Sequence, residues 1–418
     1  MKKRKNVAII GSGISGLSIG NELLSTCNVT IFEKERTAGG LISCENINGI
    51  IYHKVGGHVF NTNNEKVANW FWKFFNKELD FTFAQRNAKI YIENKMIGYP
   101  IENHLYELDP YFSLKVLEDI LKNNKHQKKN NKTLEEFFIS TFGETLFNYY
   151  FKPYNEKIWN IPLNIIPLEW LDGKLPMPKA IDILLENIFR KGESKMVHSQ
   201  FYYPLNGGSQ FIANKLAENL NINYSYSVNS INHYNNKFII NNQNEFDIII
   251  YTGDVRELPN ILRSELKINY FDVFNLKSNG TTNVLCEIDE LPYSWVYLPE
   301  KTTLAHRIIM TGNFSPNNNG NLNRKTCTIE FAGIHDDNTI LNQLKEMPFN
   351  IRPIKIHKEK NSYIIHEKNT RDVIQKIKNQ LEPLNFFLLG RFAEWEYYNM
   401  DKAIESALLL KNKIETKL

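Results

Sequence analysis

Near the start of the chain, Gly-Ser-Gly-Ile-Ser-Gly at 11–16 has the composition and spacing of a backbone cradle for phosphate. An apolar run, Asn6 to Ile10, precedes it, and a stretch with helical spacing follows. In such a loop Gly11 permits the tight turn and Gly13 lets backbone close on a pyrophosphate. Gly16 lets helix and strand pack, and the helix N-terminus favours negative charge. A lone G-x-G-x-x-G is weak evidence, so the strand–loop–helix–strand context carries it. Glu33 closes the next strand about twenty residues on, where a carboxylate can accept from ribose hydroxyls. Two more glycines, Gly39 and Gly40, follow in "ERTAGGL", and Thr252-Gly253 ends the apolar run "FDIIIYTG". A second close approach of backbone suits FAD, the longer molecule, better than NAD. Ser15, Lys34 and Leu41 in these segments, and Val228 outside them, are also expected to bind the cofactor.

The totals bound the remaining possibilities. A chain of 418 residues with 42% hydrophobic and 23% charged residues has room for two or three domains around a large core. Its 50 basic and 46 acidic side chains leave a net charge of +4, too little for the clustered basic stripe of a nucleic-acid binder. The four cysteines form no CxxC pair and no Cys/His metal spacing, so neither a disulfide scaffold nor a metal site is expected, and a reducing cytoplasm is. "MKKRK" before an apolar stretch imitates a signal peptide, but glycines interrupt the stretch and no A-x-A-like cleavage site follows. No apolar run reaches the ~18 residues of a spanning helix, so no membrane span is expected.

The pattern along the chain predicts a βαβ start, with strands at 6–10 and 29–35 around a helix. An aromatic-rich helix is expected at 64–76 and a hairpin at 88–100 that turns at Glu93-Asn94. Residues 107–195 read as mostly helical, with the polar segment 123–132 as a solvated loop. Short apolar runs between Asn-rich turns from 225 to 365 suggest an antiparallel sheet, and 246–253 returns to the first sheet. A helix at 400–417 closes the chain. The expected fold class is therefore α/β plus α+β: a Rossmann-type FAD-binding domain with a helical insert and an antiparallel β-sheet domain. The expected boundaries are 1–65, 200–255 and 370–418 for the discontinuous FAD domain, 105–195 for the helical domain, and 66–104 with 256–369 for the sheet and substrate domain.

Five segments, "GGHVFNT" (56–62), "YFKPYNEKIW" (150–159), "IIIYTGD" (248–254), "HRI" (306–308) and "GRFAEWEYYNMD" (390–401), together resemble the UDP-galactopyranose mutase family within the amine-oxidase-like FAD flavoproteins. The resemblance implies a mutase that interconverts pyranose and furanose forms of a nucleotide-diphosphate sugar in surface polysaccharide biosynthesis. Reduced FAD is the active form there; its N5 attacks the anomeric carbon, UDP departs, and the ring reopens and recloses. Implied partners are the nucleotide sugar, a UDP-sugar foremost, and an electron donor such as NAD(P)H. A homodimer is one option for the assembly.

The same resemblance assigns roles position by position. Arg307 corresponds to an arginine facing diphosphate and flavin; taken alone it also suits an exposed strand. Lys174, in "GKLP", stands where the family has a second arginine and keeps charge without the bidentate fork. His58 falls on a flavin-facing histidine, with Gly57 expected to allow close approach to the ring. Arg307, His58 and Lys174 form the expected catalytic set. Tyr150 and Tyr154 correspond to a pair of rings around the uracil and Trp159 to a tryptophan of that pocket; their spacing equally suits helical core packing. Tyr363 and Tyr397 are expected at the diphosphate, and Arg391 at FAD. Asn399 stands where the family has aspartate and reads both as substrate contact and as N-cap. Met400 then opens a helix whose positive end would face the flavin and stabilise its anionic reduced form. Trp395 and Tyr398 are expected to pack the turn.

The departures at Gly57, Asn61, Lys174 and Asn399 point to a sugar other than galactose or another nucleotide carrier. An FAD-dependent oxidoreductase of the amine-oxidase or desaturase kind is the alternative reading, although no lysine-water device over the flavin is apparent. A non-catalytic flavin-binding relative is the third.

Overall fold

The computed structural model describes residues 4–124, 131–168, 178–190, 200–264, 267–270 and 272–416. At its centre is a five-stranded sheet in the order Phe386–Leu388, Ile248–Tyr251, Asn6–Ile10, Asn28–Phe32, Ile222–Asn223, and every pairing in it is parallel. Val7 and Ile9, Ile248 and Ile250, and Phe387 point to one face, where Ile19, Leu23, Ala407 and Ile414 of two helices cover them. Ala8, Ile249 and Phe386 point to the other, under Phe238, Ile377 and Leu381. Side chains alternate across a strand, so a strand covered on both faces reads as an unbroken apolar run. That is why "NVAII" and "DIIIY" show no polar alternation.

A seven-stranded sheet lies beyond, in the order Arg352–Ile365, Lys277–Ile288, Lys325–Ala332, Ala305–Ile309, Trp295–Tyr297, Ala88–Ile92, Lys95–Gly98. The expected antiparallel pairing holds at every contact except one: Trp295–Tyr297 runs parallel to Ala88–Ile92. These two strands are some two hundred residues apart, so no short turn dictates their relative direction. The hairpin turns at Glu93 (φ 50°) and Asn94 (φ 58°), both left-handed, as a two-residue type I′ turn requires.

The expected helix at 64–76 ends at Phe71, and a separate short helix, Lys77–Asp80, follows beyond the expected range. Glu65–Phe71 is capped by Asn64 and Lys77–Asp80 by Asn76, each asparagine side chain accepting from backbone N–H groups of the following turn. Val67, Trp70 and Phe71 pack with Leu17, Met400 and Ile404, so this segment, grouped above with the sheet and substrate domain, packs on the nucleotide-binding layer.

The insert contributes Pro110–Asn124, Leu134–Leu146, Lys152–Trp159 and Ala180–Phe189. Their apolar faces close over Ile90, Trp295, Tyr297 and Ile309 of the large sheet. Between the second and third of these helices, Phe147–Phe151 forms a π-turn, a local widening common at functional sites. Most of the expected polar loop, and Lys174, lie outside the described residues. Among the described residues no helix is long and apolar enough to cross a membrane.

Candidate active site

The glycine loop shows what each glycine is for. Gly11 sits at φ +102° and its N–H donates to Phe32 O at 2.8 Å, folding the loop over the second strand. A Cβ on Gly16 would come within 2.0 Å of Gly11 O, so helix Ile14–Leu23 reaches the strand only because that atom is missing. A Cβ on Gly13 would meet nothing within 4 Å; open space lies over this one position of the loop. Gly39 (φ +128°) bridges to Gly13 and donates to Ser12 O at 2.9 Å, so the second glycine pair folds against the first. Ser15 is buried under Gly390, whose added Cβ would lie 2.6 Å from Ser15 Oγ. Thr252 Oγ1 donates to Ile10 O at 2.7 Å and so joins the third strand end to the cradle, with Gly253 next to it. Leu41 and Val228 lie partly buried against one core cluster, while Lys34 is exposed.

Glu33 is buried, and protein donors already engage it. Oε2 accepts from Ser12 N and Ser12 Oγ, both at 2.7 Å, and Oε1 accepts from Glu35 N at 2.9 Å. A carboxylate has about four lone-pair sites, which leaves capacity on Oε1 for a hydroxyl donor. The expected ribose contact would therefore share a carboxylate that also ties the loop to the second strand.

Above the C-terminal ends of the parallel strands a cavity of about 270 Å³ opens between the two sheets. It brings together eight of the expected residues: Gly57, His58, Arg307, Tyr363, Arg391, Tyr397, Asn399 and Met400. The glycines before His58 act differently from the expectation. A Cβ on Gly57 would come within 2.5 Å of Ile309 Cγ2, and one on Gly56 (φ +58°) within 3.3 Å of Glu330 Oε2. The small residues are needed for close approach to the large sheet itself, which brings His58 to the cavity wall. His58 Nε2 is shielded from water and has no hydrogen-bond partner among the described residues. Burial, and then the guanidinium groups of Arg391 and Arg307, push this imidazole down to about 4, so it is neutral at pH 7.

Arg307 stands in a buried polar network that sequence reasoning missed. Its Nη2 donates to Glu330 Oε1 at 2.9 Å and Oε2 at 3.1 Å, and to the Tyr363 hydroxyl at 2.9 Å. That hydroxyl donates in turn to Glu330 Oε1 at 2.5 Å, and His306 Nε2 lies 2.9 Å from the same oxygen. Burial works to raise the Glu330 carboxyl, but Arg307 and the contact with His306 outweigh it and hold it well below the usual carboxylate range. The only sequence signal was one carboxylate inside "KTCTIEFA", a strand otherwise free of acids. Arg86, on the loop before strand Ala88–Ile92, also lines the cavity and gave no signal at all.

The terminal segment is wound tightly. Arg391 donates through Nε to Tyr398 O at 3.1 Å and through Nη1 to Ser362 O at 3.0 Å, and its guanidinium lies 4.6 Å from the Tyr397 ring centre. Part of the expected FAD arginine is thus occupied in holding the turn and the tyrosine. Trp395, at φ +52°, is fully buried and packs the turn as expected, under Arg256 at 4.8 Å. Tyr397 stacks on Tyr363 at 5.8 Å, nearly parallel, and Trp159 meets both rings edge-on. Asn399 occupies the N-cap position of helix Met400–Glu415, yet its side chain makes no capping hydrogen bond. It is exposed, at the cavity mouth, and Met400 sits inside. The expected N-cap role of Asn399 is therefore positional only.

Tyr150 and Tyr154 depart furthest from expectation. Their rings stack directly on each other, 5.5 Å between centres and 7° between planes. A base between them would need about 7 Å, two van der Waals layers. Tyr150 is buried in the helical core and Tyr154 packs partly buried against it, with burial raising both phenols well above their ordinary value.

A parallel sheet, a glycine cradle with open space at Gly13, and a cation-rich cavity at the strand ends define a Rossmann-type α/β protein with a second, largely antiparallel sheet. The profile of the NAD(P)-binding Rossmann-like domain matches residues 9–77. In sequence and in fold the chain is similar to UDP-galactopyranose mutases. It is 22% identical to a UDP-galactopyranose mutase of Mycoplasma genitalium, over 96% of this chain and 92% of that one. It is 28% identical to a dTDP-fucopyranose mutase of Escherichia coli over 41% and 46%. A crystal structure of reduced UDP-galactopyranose mutase superposes with a TM-score of 0.89 at 18% identity, covering 100% of this chain and 95% of that one.

Proposed function

We propose that this chain is a flavin-dependent mutase that interconverts pyranose and furanose forms of a nucleotide-diphosphate sugar. The observation that carries the reading is the cavity in which Arg307, Arg391, Tyr363 and Tyr397 converge at the C-terminal edge of the dinucleotide sheet. Similarity to mutases over nearly the whole length supports it.

The residues present fit FAD. The 11–16 loop, with its open face at Gly13, would take the pyrophosphate, Glu33 a ribose hydroxyl, and the Gly39-Gly40 turn the adjoining backbone approach. His58 Nε2 and the first turn of helix Met400–Glu415, which no side chain caps, would meet the ring system. When bound and reduced, the cofactor would supply the nucleophile for the anomeric carbon. The remaining work belongs to the chain. Arg307, held in place by Glu330 and Tyr363, stabilises charge as the nucleotide diphosphate departs, and a rigid donor costs no reorganisation at that moment. Tyr397, stacked on Tyr363 and backed by Trp159, presents its phenol to the same anion, while the Tyr363 hydroxyl, engaged with Glu330, holds Arg307 in place. Neutral His58 avoids placing another positive charge beside the helix end and keeps one ring nitrogen available as an acceptor. The helix N-terminus favours an anionic partner.

The test is to reduce the FAD-loaded protein with dithionite and offer a panel of UDP- and dTDP-sugars, separating pyranose and furanose forms by chromatography. Interconversion without net oxidation is expected. No interconversion with any sugar, together with oxygen-dependent turnover of another compound, would favour the oxidoreductase. A protein that cannot take up FAD would end both readings.

A further inference from the structure

The strand that carries Arg307 does not alternate regularly. Against strand Lys325–Ala332, Ala305 pairs with Phe331 and Arg307 with Glu330, so His306 is one extra residue in the ladder, a β-bulge. In an unbroken strand, residues 305, 307 and 309 would share a face. Here Ala305 packs with Ile308 and Met310 on one side of the sheet, while Ile309 packs on the other, under the helical insert. The bulge therefore switches the alternation and turns Arg307 to the cavity side.

His306 does more than lengthen the strand. Its backbone carbonyl accepts from Leu298 N at 2.9 Å, and its ring is fully buried, edge-on to Tyr363 at 6.3 Å. Nε2 stands 2.9 Å from Glu330 Oε1, the oxygen that also receives Arg307 Nη2 and the Tyr363 hydroxyl. Burial lowers the imidazole and keeps it neutral, while Glu330 is ionised and can only accept, so the proton between these two atoms belongs to Nε2. That N–H meets the oxygen off its axis, and Nδ1 has no hydrogen-bond partner among the described residues. A buried ring with an unmatched nitrogen costs stability that an aliphatic side chain of similar size does not. The compensating gain lies at Glu330, whose carboxylate is met by His306 and Arg307 from one strand and by Tyr363 from another.

We propose that His306 is a positioning residue: it holds the Glu330 carboxylate in the orientation that aims Arg307 at the diphosphate of the nucleotide sugar. The proposal rests on the nucleotide-sugar reading given above.

The test uses the FAD-loaded protein and titrates UDP and uridine as probes by calorimetry. His306→Leu is expected to weaken UDP about 10-fold, the worth of a lost hydrogen bond to a charged group, and to leave uridine unchanged. A glutamine amide reaches the place of Nε2, whereas an asparagine amide reaches only that of Nδ1. His306→Gln should therefore bind UDP within about twofold of the parent, and His306→Asn should bind it as weakly as the leucine variant. An unchanged flavin spectrum and melting temperature show that the variants fold; if His306→Leu does not, the glutamine and asparagine variants decide between them. Equal UDP affinity in those two, or equal weakening of UDP and uridine, would overturn the assignment. So would a folded leucine variant that binds UDP as the parent does. Failure of the unsubstituted protein to bind UDP at all would overturn the underlying reading, and this assignment with it.

Discussion

At the scale of single residues, Asn399 separates two roles that look alike in a sequence. A capping asparagine replaced by alanine costs about 1 kcal/mol of stability. Here the side chain makes no capping bond, so Asn399→Ala should shift the urea midpoint by less than that, while Asn399→Asp should alter the preference among nucleotide sugars. A full capping loss in the alanine variant, with sugar preference untouched in the aspartate variant, would return the residue to a structural role. Glu330 is the opposite case. It was invisible as a site residue, yet it compensates Arg307 and receives the Tyr363 hydroxyl. Removing one partner of a buried pair leaves the other uncompensated, so Glu330→Gln should cost roughly 3–5 kcal/mol in urea unfolding. A loss under about 1 kcal/mol would mean that water reaches the pair.

At the scale of elements, the glycine loop supports a paired prediction. Gly16→Ala forces a Cβ to within 2.0 Å of Gly11 O and should destabilise the protein even without cofactor. Gly13→Ala meets no protein atom, so the cofactor-free protein should melt as the parent does, while FAD retention on gel filtration falls. A Gly13→Ala protein that stays fully yellow would argue against pyrophosphate at that position. The helix Lys152–Trp159 is anchored differently. Lys157 Nζ donates to Leu298 O at 2.7 Å, Glu300 O at 2.6 Å and Ala305 O at 3.2 Å, tying the helix that carries Trp159 to the connection between two inner strands of the large sheet, Trp295–Tyr297 and Ala305–Ile309. Burial pulls this ammonium down to about 7, yet three carbonyls hold it. Lys157→Met strands those acceptors at about 1–3 kcal/mol for a buried unsatisfied group. The same change should raise KM more than it lowers kcat, as Trp159 loosens from Tyr363 and Tyr397. A KM equal to the parent's would show that the ring cluster holds itself.

At the scale of the whole molecule, buried histidines govern behaviour in acid. Burial first, and then His58, pushes His53 down to about 3, and His58 itself lies near 4. Unfolding releases both to an ordinary value near 6.5, so the unfolded chain binds more protons below that pH, and stability falls as pH drops. Each histidine should cost roughly 2 kcal/mol between pH 7 and pH 5. The depressed Glu330 carboxyl acts in the same direction at lower pH, stabilising above the ordinary carboxylate range and losing that contribution as pH falls through it. Urea unfolding at the two pH values checks the sign; a protein as stable at pH 5 as at pH 7 would contradict it.

Reading the chain alone reached the nucleotide-binding half, because its signals are local: the glycine spacing, Glu33 at the next strand end, and apolar runs long enough for strands covered on both faces. Those features depend on neighbours within about forty residues, and backbone sterics dictate them wherever the chain lies. The cavity depends on segments hundreds of residues apart. Only tertiary packing set Glu330 against Arg307, brought Arg86 against the rings of Tyr99 and Trp295, and stacked Tyr150 on Tyr154. Charge compensation and ring stacking are decided by distances of a few ångströms, and no periodicity along the chain encodes a distance between parts of it that first meet when it folds.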